Sequence, residues 1–129
     1  MKAKELRLGN YIIANGSIEK INYITPATLG YGEKEFAPIC TSDYKYFEPI
    51  PLTEECLSGF GFGKTTTNYF ELKLDNGFFL GAYILWQNDS GEYEVIFTDE
   101  SNNELIVVKY VHQLQNLYFA LTNQELKLK

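Results

Sequence analysis

The stretch Ser101–Thr122, SNNELIVVKYVHQLQNLYFALT, can be folded in two ways, and the choice decides the architecture. Ser101 and Glu104 make an S-x-x-E capping box, from which one helix could run for about twenty residues. Against that stands Ile106-Val107-Val108, β-branched at every position and so stiff at χ1, which belongs on a pleated strand. The expectation is a strand ending near Val108, followed by a helix over Tyr110–Leu121.

That helix is unusual because Tyr110–Thr122, YVHQLQNLYFALT, contains no Asp, Glu, Lys or Arg, in a chain that is 22% charged. At about 100° per residue, Tyr110, Val111, Leu114, Leu117, Tyr118 and Leu121 fall on one arc of about 120°, the width of a face packed on a sheet. His112, Gln115, Asn116 and Phe119 fall together on the opposite side. A helix face turned to water is usually studded with charges; amides, an imidazole and a bare ring suit a surface that something else covers. These four residues are therefore the candidate interface. The covering surface is expected to be the N-terminal strands, a second copy of the chain, or a foreign partner.

Upstream, turn signals separate strand-like runs. Asn15-Gly16 lies between NYIIA and SIEKINYI, and Asn76-Gly77 between FELKLD and FFLGAYILW. Asn-Gly is a strong hairpin signal because both residues accept positive φ. A third hairpin should join EYEVIFT to ELIVV through Asp99–Asn103, which predicts a four-stranded antiparallel meander in the second half. Leu74–Val108 carries seven acids and no Lys or Arg, so it is −7 and the remainder of the chain +1, and it should repel phosphate backbones.

Between the halves lies EPIPLTEECLSGFGF. Pro49 and Pro51 exclude a central strand, Thr53 is a good N-cap, and Leu52 with Leu57 fits a hydrophobic staple. A short helix is expected from Glu54 to about Ser58, with Gly59 and Gly61 supplying its stop. The following SGFGFGKTT, Ser58–Thr66, looks like a phosphate loop, but Ser58 stands where the first glycine is required. The context is also inverted, since a phosphate loop opens a helix whereas this one follows a helix and leads into β-branched threonines.

Three separated blocks, LRLGNYI, PIPLTEE with its following GF, and YVHQLQNLYFALT, resemble a family of short proteins encoded by phages, prophages and mobile elements of gut bacteria. The resemblance spans most of the chain, and the uncharged-helix block is its specific part. It implies a cytoplasmic accessory protein acting during infection or element maintenance. The family has no assigned activity, cofactor or catalytic residues, so it implies none at these positions.

The chain of 129 residues, 45% hydrophobic and 16% aromatic, suits a single domain, with possible lobes at 1–50 and 51–129. Cys40 and Cys56 lack the spacing of a disulfide framework or zinc site, and the N-terminus lacks the apolar run of a secretion signal, so a cytoplasmic location is expected. No metal or cofactor is expected: the loops WQNDSGEYE and TDESNNE miss the calcium-loop register. His112, the lone histidine, has no acid, base or nucleophile on its own helix.

The expected fold is α+β: an N-terminal strand-rich lobe forming a small half-open barrel, a short linking helix, then the meander packed by the C-terminal helix. The expected function is non-enzymatic binding of a protein, or of itself, through the uncharged helix, with no nucleic acid or membrane as partner. Two rivals are an acidic antagonist imitating nucleic acid in a host protein's basic groove, and a hydrolase or transferase using His112 with a cysteine. Direct nucleic-acid binding is weaker still, confined to Lys2, Lys4, Arg7 and Lys20.

Overall fold

The computed structural model describes residues 5–25, 28–32, 40–43, 47–74, 79–87, 93–99, 101 and 103–126, with the backbone alone at 40–43 and 86–87. It is an α+β chain, mostly strand, whose sheets are both antiparallel. It divides into two compact units, Met1–Ile50 with Tyr110–Leu117, and Pro51–Lys109 with Tyr118–Lys129.

The first unit holds β1 (Tyr11–Ala14), β2 (Ser17–Ile24), β3 (Thr28–Tyr31), β4 (Cys40–Asp43) and β5 (Phe47–Glu48), in the order β4-β3-β2-β1-β5. This sheet curls into the half-open barrel. Asn15 and Gly16 both adopt positive φ, 51° and 78°, and close the β1–β2 hairpin as a two-residue turn with Ala14 opposite Ser17. Its inner face buries Leu6, Ile12, Ala14, Ile21, Leu29 and Phe47 in one cluster, with the Tyr31 ring set edge-on to Phe47.

The second unit begins with α1 (Glu54–Gly59). Thr53 caps it by accepting the Cys56 N–H at 3.2 Å, and the staple residues Leu52 and Leu57 are fully buried. Its end is a Schellman motif: Phe62 N–H reaches the Leu57 carbonyl and Gly61 N–H that of Ser58, both at 3.0 Å. Gly61, with φ 97°, is the stop; Gly59 is instead the last helical residue. The glycine-rich stretch is thus a helix end leading into β6 (Gly63–Thr66), and Lys64 pairs with Glu54 at 3.4 Å.

β6, β7 (Tyr69–Lys73), β8 (Phe79–Gln87), β9 (Tyr93–Thr98) and β10 (Glu104–Val108) form a sheet in simple sequence order. The meander has five strands where four were expected. The addition is β6, which the glycines and β-branched threonines concealed as a turn running into β7. The Asn76-Gly77 turn lies outside the described residues, though β7 and β8 pair as expected. The third hairpin closes through Asp99, whose carboxylate accepts from the backbone of Ser101 and Asn103. Those bonds, led by Asn103, hold its pKa below the usual carboxylate value.

Strand β10 precedes helix α2 (Val111–Thr122), so the capping-box helix from Asn102 does not form. No side chain of the expected kind caps α2. The Gln113 side chain reaches back to accept the Tyr110 N–H at 3.1 Å, and Asn123, at φ 57°, ends the helix by donating to the Phe119 carbonyl. Among the described residues no helix is long and apolar enough to cross a membrane.

Candidate functional site

The four sequence-predicted interface residues are not an open face. His112 and Gln115 are 1% and 0% exposed, while Asn116 and Phe119 are partly covered. What covers the amides is the chain's own N-terminal segment, the first of the three surfaces considered. Gln115 spans it with both ends of its amide, accepting the Tyr11 N–H at 2.8 Å and donating to the Gly9 carbonyl at 3.0 Å. Asn116 accepts from Arg7 Nε and Asn10 Nδ2, each at 2.9 Å, and donates to the Glu5 carbonyl at 2.7 Å. Asn10 also accepts the Arg7 N–H, so Glu5, Arg7, Gly9 and Asn10 ahead of β1 are all held by hydrogen bonds.

This lock explains the absence of charge on the inner helix. A carboxamide supplies donor and acceptor together and matches an irregular backbone that presents one of each, whereas an ion buried there would match neither and would lose its hydration. Arg7 and Asn10 were missed as partners. The signal available for them is the uncharged run itself, since buried amides need donors and acceptors from elsewhere in the chain.

His112 stacks on Tyr110, with ring centroids 5.9 Å apart, and its Nε2 lies 3.9 Å from the Glu5 carboxylate. Neither ring nitrogen has a hydrogen-bond partner among the described residues. Burial pushes its pKa below the usual histidine value, and the Glu5 charge offsets this in part. The Cys56 thiol contacts Thr53 Oγ1 and the Pro51 carbonyl. The Cys40 side chain lies outside the described residues. Among those residues no group of three or more His, Cys, Asp or Glu could hold a metal ion.

The apolar arc predicted for the helix is only partly buried: Val111 and Leu114 are enclosed, but Leu121 is 43% exposed. The conspicuous apolar surface lies elsewhere, on the second sheet. Residues paired directly across strands share a face, so Phe70, Ala82, Phe97 and Ile106 form one row and Tyr69, Tyr83, Ile96 and Val107 another on the opposite side. Phe70, Ala82 and Phe97 of the first row enter the core, where Phe62 meets Phe97 edge-on, while Ile106 at the end of that row is exposed. In the second row Tyr83 and Val107 are exposed and Tyr69 and Ile96 are half-buried. Tyr69 and Tyr83 pack at 4.3 Å between centroids, and Tyr69 lies over Gly81, where a Cβ would come within 2.6 Å of its hydroxyl.

Tyr69 has its pKa pushed up to about 12, by burial and then by its bond to Glu71 and the nearby charge. Beside it a hollow of about 330 Å³ is lined by Asn68, Tyr83, Leu85, Ile96, Thr98 and Glu104.

This face ends at β10, the last strand of its sheet among the described residues; just past it, Leu52 N–H donates to the Lys109 carbonyl at 2.8 Å. Leu105, Ile106 and Val107 are 41%, 46% and 47% exposed. Unpaired backbone groups flanked by exposed aliphatic side chains make a template for another strand. The chain is thus a two-sheet α+β fold whose second sheet ends, among the described residues, in an exposed apolar strand. Comparison with protein-family models, curated proteins and solved structures gives no match.

Proposed function

We propose that this chain is a non-enzymatic protein-binding module, an accessory protein of phage or mobile-element type, that takes an extended protein strand onto its β10 edge. The docking element moves from the helix to the meander. The observation that carries this reading is the exposure of Leu105, Ile106 and Val107 on an edge strand, where such residues are ordinarily replaced by charges or proline. Main-chain hydrogen bonds would supply affinity and the alternating apolar side chains selectivity.

The acidic antagonist is less well supported. Of the three described acids in Leu74–Val108, Glu94 pairs with Lys109 at 3.3 Å and Asp99 is engaged in its own turn, while the surface between them is aliphatic and aromatic. A His112-thiol hydrolase is also less well supported, because the imidazole is enclosed and the Cys56 thiol is engaged within the α1 cap.

The test is titration of the dilute chain with a dansylated heptapeptide of alternating valine and threonine. Saturable binding with slowed amide exchange in β10, insensitive to salt and abolished by Ile106→Lys, is expected. Absence of binding overturns the reading. Failure with this peptide together with salt-sensitive capture of a basic protein favours the antagonist instead.

A further inference from the structure

We infer that the hollow on the Tyr69 and Tyr83 face of the second sheet is a binding site for a small organic cation, a primary ammonium on a compact apolar body. It lies on the face of the sheet rather than at its edge, and stands whether or not a strand is added at β10. Antiparallel register builds it. Glu71, Gly81, Thr98 and Glu104 pair one with the next across β7, β8, β9 and β10, so they form a cross-strand row on the same face as Tyr69, Tyr83 and Ile96.

Thr98 points to a ligand. It lines the hollow, is 3% exposed, and its Oγ1 has no hydrogen-bond partner. A hydroxyl buried in that way is destabilising until something supplies the missing bond. The neighbouring tyrosine does not. The Tyr69 and Thr98 hydroxyls converge over Gly81, where a Cβ would come within 2.6 Å of both oxygens, but the Tyr69 hydroxyl donates to Glu71.

Charge and shape select the class of ligand. Thr98 and Glu104 are directly opposite, which sets their Cβ atoms about 5 Å apart, so one ammonium can donate to the hydroxyl oxygen and the carboxylate together. Glu104 has no ion-pair partner among the described residues, and Lys109, past the other end of β10, is taken by Glu94 at 3.3 Å. Tyr83, Leu85 and Ile96 give the body apolar walls, and the Tyr83 ring also attracts a cation. An anion would meet Glu104 within a segment, Leu74–Val108, that has seven acids and no Lys or Arg. At about 330 Å³ the hollow is at the small end of ligand pockets, which limits the body to about one ring or a short alkyl chain.

Titration of the full chain with phenethylammonium, followed by NMR shifts, tests the inference. Saturable shifts at Gly81, Thr98 and Glu104 are expected with a dissociation constant of about 1 mM, and phenethyl alcohol and phenylacetate should bind at least about tenfold more weakly. Glu104→Gln should weaken binding of the ammonium about tenfold. Thr98→Val removes the hydroxyl and nearly keeps the shape; it should weaken binding about fivefold yet leave the urea midpoint unchanged or higher, because the free chain loses no bond. Equal binding of all three probes overturns the inference, as does an unchanged affinity in Glu104→Gln or an absence of saturation below about 10 mM. If Thr98→Val fails to fold, Glu104→Gln, at an exposed position, still decides the matter. None of these readouts involves the valine-threonine peptide, so this site and the strand-addition reading can fail separately.

Discussion

Gln115 shows at the scale of one residue what the uncharged helix is for. Its amide satisfies the Tyr11 N–H and the Gly9 carbonyl, and its side chain is fully buried. Gln115→Leu keeps the volume and removes both bonds, so unfolding in urea should show a loss of about 2–4 kcal/mol. Asn116→Lys should also destabilise, because it sets a cation against the Arg7 guanidinium.

His112 makes stability depend on pH. Its folded pKa lies below its unfolded value near 6.5, so the unfolded chain binds the extra proton first. Its contribution is complete above about pH 6.5 and is lost as pH falls through the interval down to the folded value. Urea midpoints should therefore drop between neutral pH and mildly acidic pH, and His112→Leu should flatten that slope. Protonation of Asp99 belongs to a more acidic range, since its pKa is held below 3.8.

At the scale of elements, two glycines have opposite reasons for being glycine. Gly61 is required by backbone conformation: at φ 97° it turns the chain out of α1, and Gly61→Ala should cost about 1 kcal/mol in thermal or chemical denaturation. Gly81 is required by space, since Thr98 Oγ1 and the Tyr69 ring occupy the place of a Cβ. Gly81→Ala should push the Tyr69 ring off the sheet. A spectrophotometric titration would then show one tyrosine moving from about 12 back toward 10. β10 and α2 make the complementary pair of elements, the strand apolar where it is open and the helix neutral where it is enclosed.

At the scale of the molecule, the N-terminal unit is completed by residues from the far end of the chain. Tyr110–Leu117 belongs with Met1–Ile50, and the Gln115 and Asn116 bonds join positions more than a hundred residues apart. A chain ended at Lys109 should leave the Gly9 carbonyl, the Tyr11 N–H and Arg7 without those partners. Amide exchange in Tyr11–Ala14 should then lose its protection relative to the full chain. Folding should be slow for the chain's size, because that closure is made between its two ends.

Much of this architecture was legible in local chemistry. Asn15-Gly16 dictates its hairpin because both residues accept positive φ, Thr53 announces α1 because its hydroxyl matches a free helix N–H, and Ile106-Val107-Val108 prefers a strand because its side chains are stiff. These are properties of neighbours along the chain. The same is true of the failed phosphate loop, where the missing first glycine and the preceding helix are both visible in the residues themselves.

What only the tertiary structure decided is which neutral and apolar groups are covered. His112 and Gln115 read as interface and are interior, while Leu105 and Val107 read as ordinary strand and are exposed. Periodicity assigns a residue to a face, but whether that face is closed depends on which distant segment arrives to cover it. Arg7 and Asn10 arrive at the helix through long-range closure, whereas β10 is the last strand of its sheet among the described residues.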